Sequence, residues 1–256
     1  MILSPHIHVP FGRLGELSPI LKEHSLSVEL YILSADMDAL GADWLRRTKG
    51  LLDYGPEISI HAPFMDLSPG AIDEKVRAVT ISRFEKALLM ARDLGAKTVV
   101  FHSGYEKWKY ALQIEIWLEK SVLTWGPLIE LARGDGIRIA IENIFEDSPE
   151  NLIALFERLG CQHFGLCFDT GHFNLFSKSP VESWLPPLKK HLIELHIHDN
   201  DGSCDAHRPI GEGTFPFERF FGELKGLGGI VHTIEAHSPE DALEGLARLR
   251  RALEPA

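Results

Sequence analysis

Short apolar runs of strand type recur along the whole chain, each followed by a longer stretch of helical period and then a glycine or proline break. The runs fall at 2–9, 27–32, 57–61, 98–102, 138–142, 165–169, 192–198 and 230–235, with helical segments expected at 40–52, 75–94, 111–133, 148–159, 217–227 and 239–253. Eight strand-helix units in 256 residues is one unit per 32 residues. That spacing matches an α/β chain folded as a (β/α)8 TIM barrel, which takes roughly 250 residues. An open doubly wound sheet is the alternative, but it would carry a glycine-rich phosphate loop after the first strand. The chain instead reads Val9-Pro10-Phe11-Gly12-Arg13-Leu14-Gly15, without GxGxxG spacing. No linker or shift of composition marks a second domain, so residues 1–256 are expected to form one barrel.

Some helix ends have visible causes. Ser148-Pro149-Glu150 and Ser238-Pro239-Glu240 each offer an N-cap hydroxyl, a proline in the first turn and an acid. Gly95, Gly160 and Gly228 follow leucine-ended helical runs and are expected to close them.

Charge narrows the partners. The chain carries 26 Lys and Arg against 37 Asp and Glu, a net charge of −11, the wrong sign for a protein that neutralises phosphates along nucleic acid. Cys161, Cys167 and Cys204 form no CxxC pair and read as reduced thiols. The N-terminal MILSPHIHVP lacks a basic segment ahead of an apolar one, and no window approaches the ~18 apolar residues of a spanning helix. A cytoplasmic protein with no membrane partner is expected, with homodimerisation left open.

What the runs end in points to chemistry. His61, His102, Glu142, Asp169, His196 and Glu235 stand at or near the C-terminal ends of six of them, and in a barrel all strand C-termini open on one face. A carboxylate such as Glu142, in Ile139-Ala140-Ile141-Glu142, costs several kcal/mol to bury unpaired and so calls for a cation. His172 stands three residues after Asp169 across Gly171, which allows a tight turn, and Asp205 and His207 stand two apart on one side of an extended loop. That makes nine candidate ligands, enough for one to three zinc or manganese ions. His198 shares the inward face of His196. His6 and His8 share a face of the first strand, where they either line the pocket or, the preferred reading, fill the barrel's lower layers. Trp108 is the tryptophan placed to reach the mouth; Trp117, Trp125 and Trp184 read as packing residues.

The ordered set of His61-Ala62-Pro63, Phe101-His102-Ser103-Gly104, Ile141-Glu142-Asn143, Phe168-Asp169-Thr170-Gly171-His172, His196-Ile197-His198-Asp199, Asp205-Ala206-His207, Ile210-Gly211-Glu212-Gly213 and Ile234-Glu235 resembles the xylose isomerase-like TIM barrel superfamily over nearly the whole chain. That superfamily includes sugar and sugar-phosphate isomerases and epimerases, and the endonuclease IV family of abasic-site nucleases. The epimerase resemblance implies one divalent metal on Glu142, Asp169, His196 and Glu235, the two glutamates doubling as the proton-transfer pair, through an enediolate. The nuclease resemblance implies a zinc cluster on His61, His102, Glu142, Asp169, His172, His196, Asp205, His207 and Glu235, hydrolysing a phosphodiester. Loops at the expected mouth are short and poor in Lys and Arg, which favours a small sugar, polyol or sugar phosphate over DNA. Under that resemblance His172, His207, Glu212, His198 and Trp108 would contact substrate. Arg13, Lys107, Lys109 and Arg208 are candidate phosphate partners, with exposed surface cations the preferred reading.

Overall fold

The computed structural model describes residues 4–253. Eight parallel strands, β1 (His6–Pro10), β2 (Ser27–Tyr31), β3 (Ile58–His61), β4 (Thr98–His102), β5 (Arg138–Glu142), β6 (Phe164–Asp169), β7 (Leu192–Ile197) and β8 (Val231–Ile234), pair in chain order and close on themselves as a barrel. Around them lie α1 (Leu14–Glu23), α2 (Ser34–Asp38), α3 (Trp44–Leu51), α4 (Glu74–Leu94), α5 (Ile114–Gly134), α6 (Glu150–Leu159), α7 (Thr170–Phe176), α8 (Val181–Leu188), α9 (Phe217–Leu224) and α10 (Pro239–Leu253). No helix among the described residues is long and apolar enough to cross a membrane.

Four of these helices, α1, α2, α7 and α8, are not expected from apolar period. Pro19 sits inside α1 and Pro186-Pro187 inside α8, which disguises both as breaks. Residues 2 and 3 of the expected first strand lie outside the described residues. Gly95 and Gly160 close α4 and α6 with positive φ, as expected. Gly228 does not close a helix, because α9 ends earlier at Leu224. Ser238 caps α10 by accepting from Asp241 N at 3.1 Å, whereas Pro149 holds the cap position of α6 and Ser148 does not cap it.

The main apolar core lies between sheet and helices. Trp125 of α5 stacks on Phe84 of α4 and meets Phe101 of β4 edge-on, all three fully buried. Burying each such side chain contributes roughly 1.5–3 kcal/mol or more. The interior of the barrel is different, because branched aliphatics usually fill it. Here Glu194 is buried at the bottom, accepting from Thr233 Oγ1 at 2.6 Å and Ser59 Oγ at 3.3 Å, and Ser59 Oγ lies 2.8 Å from His6 Nδ1. Val100, Ala140 and Cys167, two residues before His102, Glu142 and Asp169 on their strands, form with Ile193 a small apolar group of their own. The inward-facing polar residues above that group form the site.

Candidate metal centre and active site

Strand register levels the key side chains. His102 pairs with Glu142 across β4 and β5, and Asp169 with His196 across β6 and β7. Asn143 fastens the β5 and β6 tips together, its Nδ2 donating to Asp169 O at 3.0 Å and its Oδ1 accepting from Asp169 N at 2.9 Å.

Glu142 is at the centre and almost fully buried. Its Oε2 lies 2.9 Å from His61 Nε2, 3.1 Å from His102 Nε2 and 3.4 Å from His196 Nδ1, and its Oε1 lies 3.0 Å from His172 Nδ1. Burial opposes ionisation of this carboxyl, but His102 and His196 outweigh it and hold the group well below the ordinary carboxylate range. Glu235, one residue past β8, is likewise held low against burial by His196 and His8.

His196 tests whether these residues fit a cation. Its Nε2 lies 3.1 Å from Glu29 Oε2, and burial notwithstanding, Glu29 is kept ionised by His196 and His8, so Nε2 carries the proton that bridges them. The other ring nitrogen, Nδ1, is buried with no hydrogen-bond partner, yet faces Glu235 Oε1 at 3.1 Å, Glu142 Oε2 at 3.4 Å and Asp169 Oδ2 at 3.8 Å. A nitrogen lone pair pointed at three carboxylate oxygens is repulsive unless a proton or a cation lies among them. The three oxygens and one nitrogen are also a donor set suited to zinc or manganese. His61 stands beside the same carboxylate, its Nδ1 donating to Ala62 O at 3.0 Å and its Nε2 lying 2.9 Å from Glu142 Oε2 and 3.3 Å from His102 Nε2. The residues fit divalent metal.

On the other side of the site His172 Nε2 lies 3.4 Å from Asp205 Oδ2, and His207 Nε2 lies 3.0 Å from the same oxygen. The structure therefore brings together His61, His102, Glu142, Asp169, His172, His196, Asp205, His207 and Glu235. The segment 170–172 is not the expected glycine turn. It is the first turn of α7, capped by Asp169 Oδ1 accepting from His172 N at 2.6 Å. Gly171 matters for another reason, since a Cβ there would stand 2.0 Å from Cε1 of His198. Gly171→Ala is expected to cost about 1–3 kcal/mol, as overpacking does, and to lower the melting temperature by several degrees. An unshifted thermal transition would show that His198 yields freely.

His198 faces inward as expected but lies beneath the cavity wall, fully buried, its Nε2 donating to Asp169 Oδ2 at 3.0 Å while its ring stacks on His207 at 4.0 Å. It contacts Asp169 and does not line the cavity. Two further expected substrate contacts, Glu212 and Trp108, also lie off the cavity. Glu212 turns outward to Arg248 at 2.6 Å, because Asp199 Oδ2 accepts from Gly211 N and Gly213 N and pins the loop with that side chain outside. Trp108 is three-quarters exposed under Lys107 and does not line the cavity.

His8 belongs to the site, which corrects the preferred lower-layer reading, while His6 does lie below. His8 Nδ1 lies 2.9 Å from Glu29 Oε1 and 3.1 Å from Glu235 Oε1; burial depresses its basicity, but the two carboxylates raise its pKa to about 10. Glu29 and Glu194 fall outside the pattern of strand ends. Each sits within an apolar strand, Val28-Glu29-Leu30 and Ile193-Glu194-Leu195, the same signal that singles out Glu142. For Glu194 burial and the nearby Glu29 push the pKa up to about 8.

The family model described as xylose isomerase-like TIM barrel matches residues 27–252. The L-ribulose-5-phosphate 3-epimerase UlaE of Salmonella paratyphi A is 26% identical over 220 residues, 78% of this chain and 73% of that protein. Among solved structures, the TTHB071 protein of Thermus thermophilus, solved after soaking with ZnCl2, superposes with a TM-score of 0.82 at 26% identity over 98% of each chain. A D-tagatose 3-epimerase-like protein superposes with a TM-score of 0.81 at 27% identity over 97% of each. With the closed barrel and its ring of strand-end donors already in view, the chain belongs to the xylose isomerase-like TIM barrel family.

Proposed function

We propose that this protein is a divalent-metal-dependent isomerase or epimerase of a small sugar or polyol, moving a proton at the carbon beside a carbonyl. The observation that carries this reading is the convergence of Glu142, Asp169, His196 and Glu235 from four strands around the unpartnered His196 Nδ1. Similarity to proteins named as sugar epimerases supports it. Those four residues would hold the ion, which supplies Lewis acidity toward a substrate carbonyl and so makes the neighbouring C–H more acidic. Glu142 and Glu235 come from β5 and the end of β8, far apart around the barrel, and both are held ionised. One takes the proton from carbon, and the other relays to the opposite face a proton from the imidazole beside it, His8 for Glu235 or His172 for Glu142. His172 and His207 line the cavity and orient substrate hydroxyls.

Metal content per chain tests the reading on protein purified without chelator, with zinc and manganese counted separately by mass spectrometry. A ratio near one, with exchange of ketose C–H for solvent deuterium, is expected. A second reading has its own observation: His61, His102 and Glu142 form one potential ligand group, and His198, Asp205 and His207 another, each with its donor atoms within 4.8 Å of one another. Three tightly held zinc ions and no C–H exchange would replace the epimerase by a zinc-cluster phosphodiester hydrolase.

A further inference from the structure

Above the strand ends the cavity, about 630 Å³, is walled by side chains that proton transfer does not use. Phe64, after β3, stacks on the His102 ring at 4.1 Å, and Tyr31 stacks on Phe64 at 6.2 Å. Phe145, after β5, is braced edge-on by Phe176 at 5.2 Å. Met65 and Phe145 both line this cavity, yet they are 70% and 54% exposed. Large apolar side chains held open at the mouth of a site offer area that a ligand would remove from water.

The charge of this wall is unsuited to phosphate. Among the described residues Lys109 is the only Lys or Arg lining the cavity; its Nζ already donates to Ser68 Oγ at 3.1 Å and lies over the Tyr110 ring. Asp66 and Glu106 line the same wall. Arg13, Lys107 and Arg208 are paired with Glu16, Asp147 and Asp201. The cavity imidazoles face carboxylates too, His8 on Glu235, His172 on Glu142 and His207 on Asp205. The volume lies within the range of about 300–1,000 Å³ that suits drug-sized ligands, more than a bare pentose or hexose fills.

Resting on the reading above, we propose that the substrate is an unphosphorylated keto-glycoside with an aryl aglycone, its sugar ring at the strand ends and its aglycone against Phe64, Met65 and Phe145. An aglycone on the anomeric carbon blocks that position, so the carbonyl lies within the sugar ring. Epimerisation beside it breaks one C–H bond, the proton passing to one glutamate, and re-forms a C–H bond on the other face with a proton that the second glutamate relays from the imidazole beside it. No oxidation state changes.

The experiment combines calorimetric binding with exchange in deuterium oxide on the metal-loaded protein. Phenyl β-glucoside, methyl β-glucoside and L-ribulose 5-phosphate serve for binding; phenyl 3-keto-glucoside, fructose and L-ribulose 5-phosphate serve for exchange. The phenyl compound is expected to bind about tenfold tighter than the methyl compound. In Phe145→Ala that preference should fall by about three- to tenfold, the worth of an aromatic contact, and Phe145→Trp should retain it. Met65→Ala gives a second, independent loss at a mostly exposed position. Equal binding of phenyl and methyl compounds, a preference unchanged in both alanine variants, or tightest binding of the phosphate ester would each overturn the proposal. The two readings fail separately. A phenyl preference without exchange on any ketone keeps the wall assignment and removes the epimerase, whereas exchange on fructose or the phosphate ester without a phenyl preference does the reverse.

Discussion

Glu142→Gln is expected to slow exchange of the substrate C–H with solvent deuterium by about 10²–10⁴-fold, the contribution of a positioned general acid or base. Four imidazoles lie within 3.4 Å of this carboxylate, and His102, His196 and His172 keep it charged in a place where burial alone would neutralise it. Glutamine keeps the shape and removes the charge, so it cannot accept a proton from carbon. It also sets an amide N–H where His61 Nε2 or His172 Nδ1 faces an oxygen, so metal content has to be measured beside the rate. A variant that retains its ion and loses exchange has lost a base; one that loses both has lost a ligand. Glu235→Gln should behave alike, since Glu235 is buried, held ionised and 3.1 Å from His196 Nδ1. Persistence of exchange in both variants would remove the two-glutamate proton transfer.

That Glu142 stands out in the amino-acid sequence alone follows from the cost of burying charge. A carboxylate in an apolar strand has few explanations, and eight strands ending on one face supply the convergence. The same reasoning reaches Glu29 and Glu194 and should be applied to every strand, not only to strand ends. Other features have no such signal. Pro19, Pro186 and Pro187 hide helices that tertiary packing forms regardless. Glu212 shares a loop with glycines suited to a binding turn, but the direction of its side chain is set by Asp199, which grips the backbone on either side of it. Side-chain parity along a strand can be read from period two; loop direction cannot. Phe64, Met65 and Phe145 lie on such loops, which is why the apolar wall emerges only in three dimensions.

Chelation is expected to lower the melting temperature by an amount that grows as pH rises above about 6.5. In metal-free protein His8, His172 and His196 have raised pKa values: burial opposes their charge, and the carboxylates around them outweigh it. A group raised in the folded state contributes stability that is fully present below its unfolded pKa of about 6.5 and is lost as pH rises through the folded value, which for His8 is about 10. Glu29, Glu142 and Glu235 are depressed, so their contribution is present above about pH 4.3 and is lost on acidification. The contribution of these three histidines in metal-free protein is therefore lost as pH rises above about 6.5. An ion on His196 Nδ1 reverses the upper limb, because it takes the place of the proton, and binding tightens as the imidazole loses that proton. At metal about 1,000-fold above its dissociation constant the stabilisation is about 4 kcal/mol, on the order of 10 °C for a chain of this length. Calorimetric scans with and without chelator across this pH range measure the gap. A gap that stays constant with pH would mean that no ion competes with protons at His196, and the ligand set would have to be drawn without that imidazole.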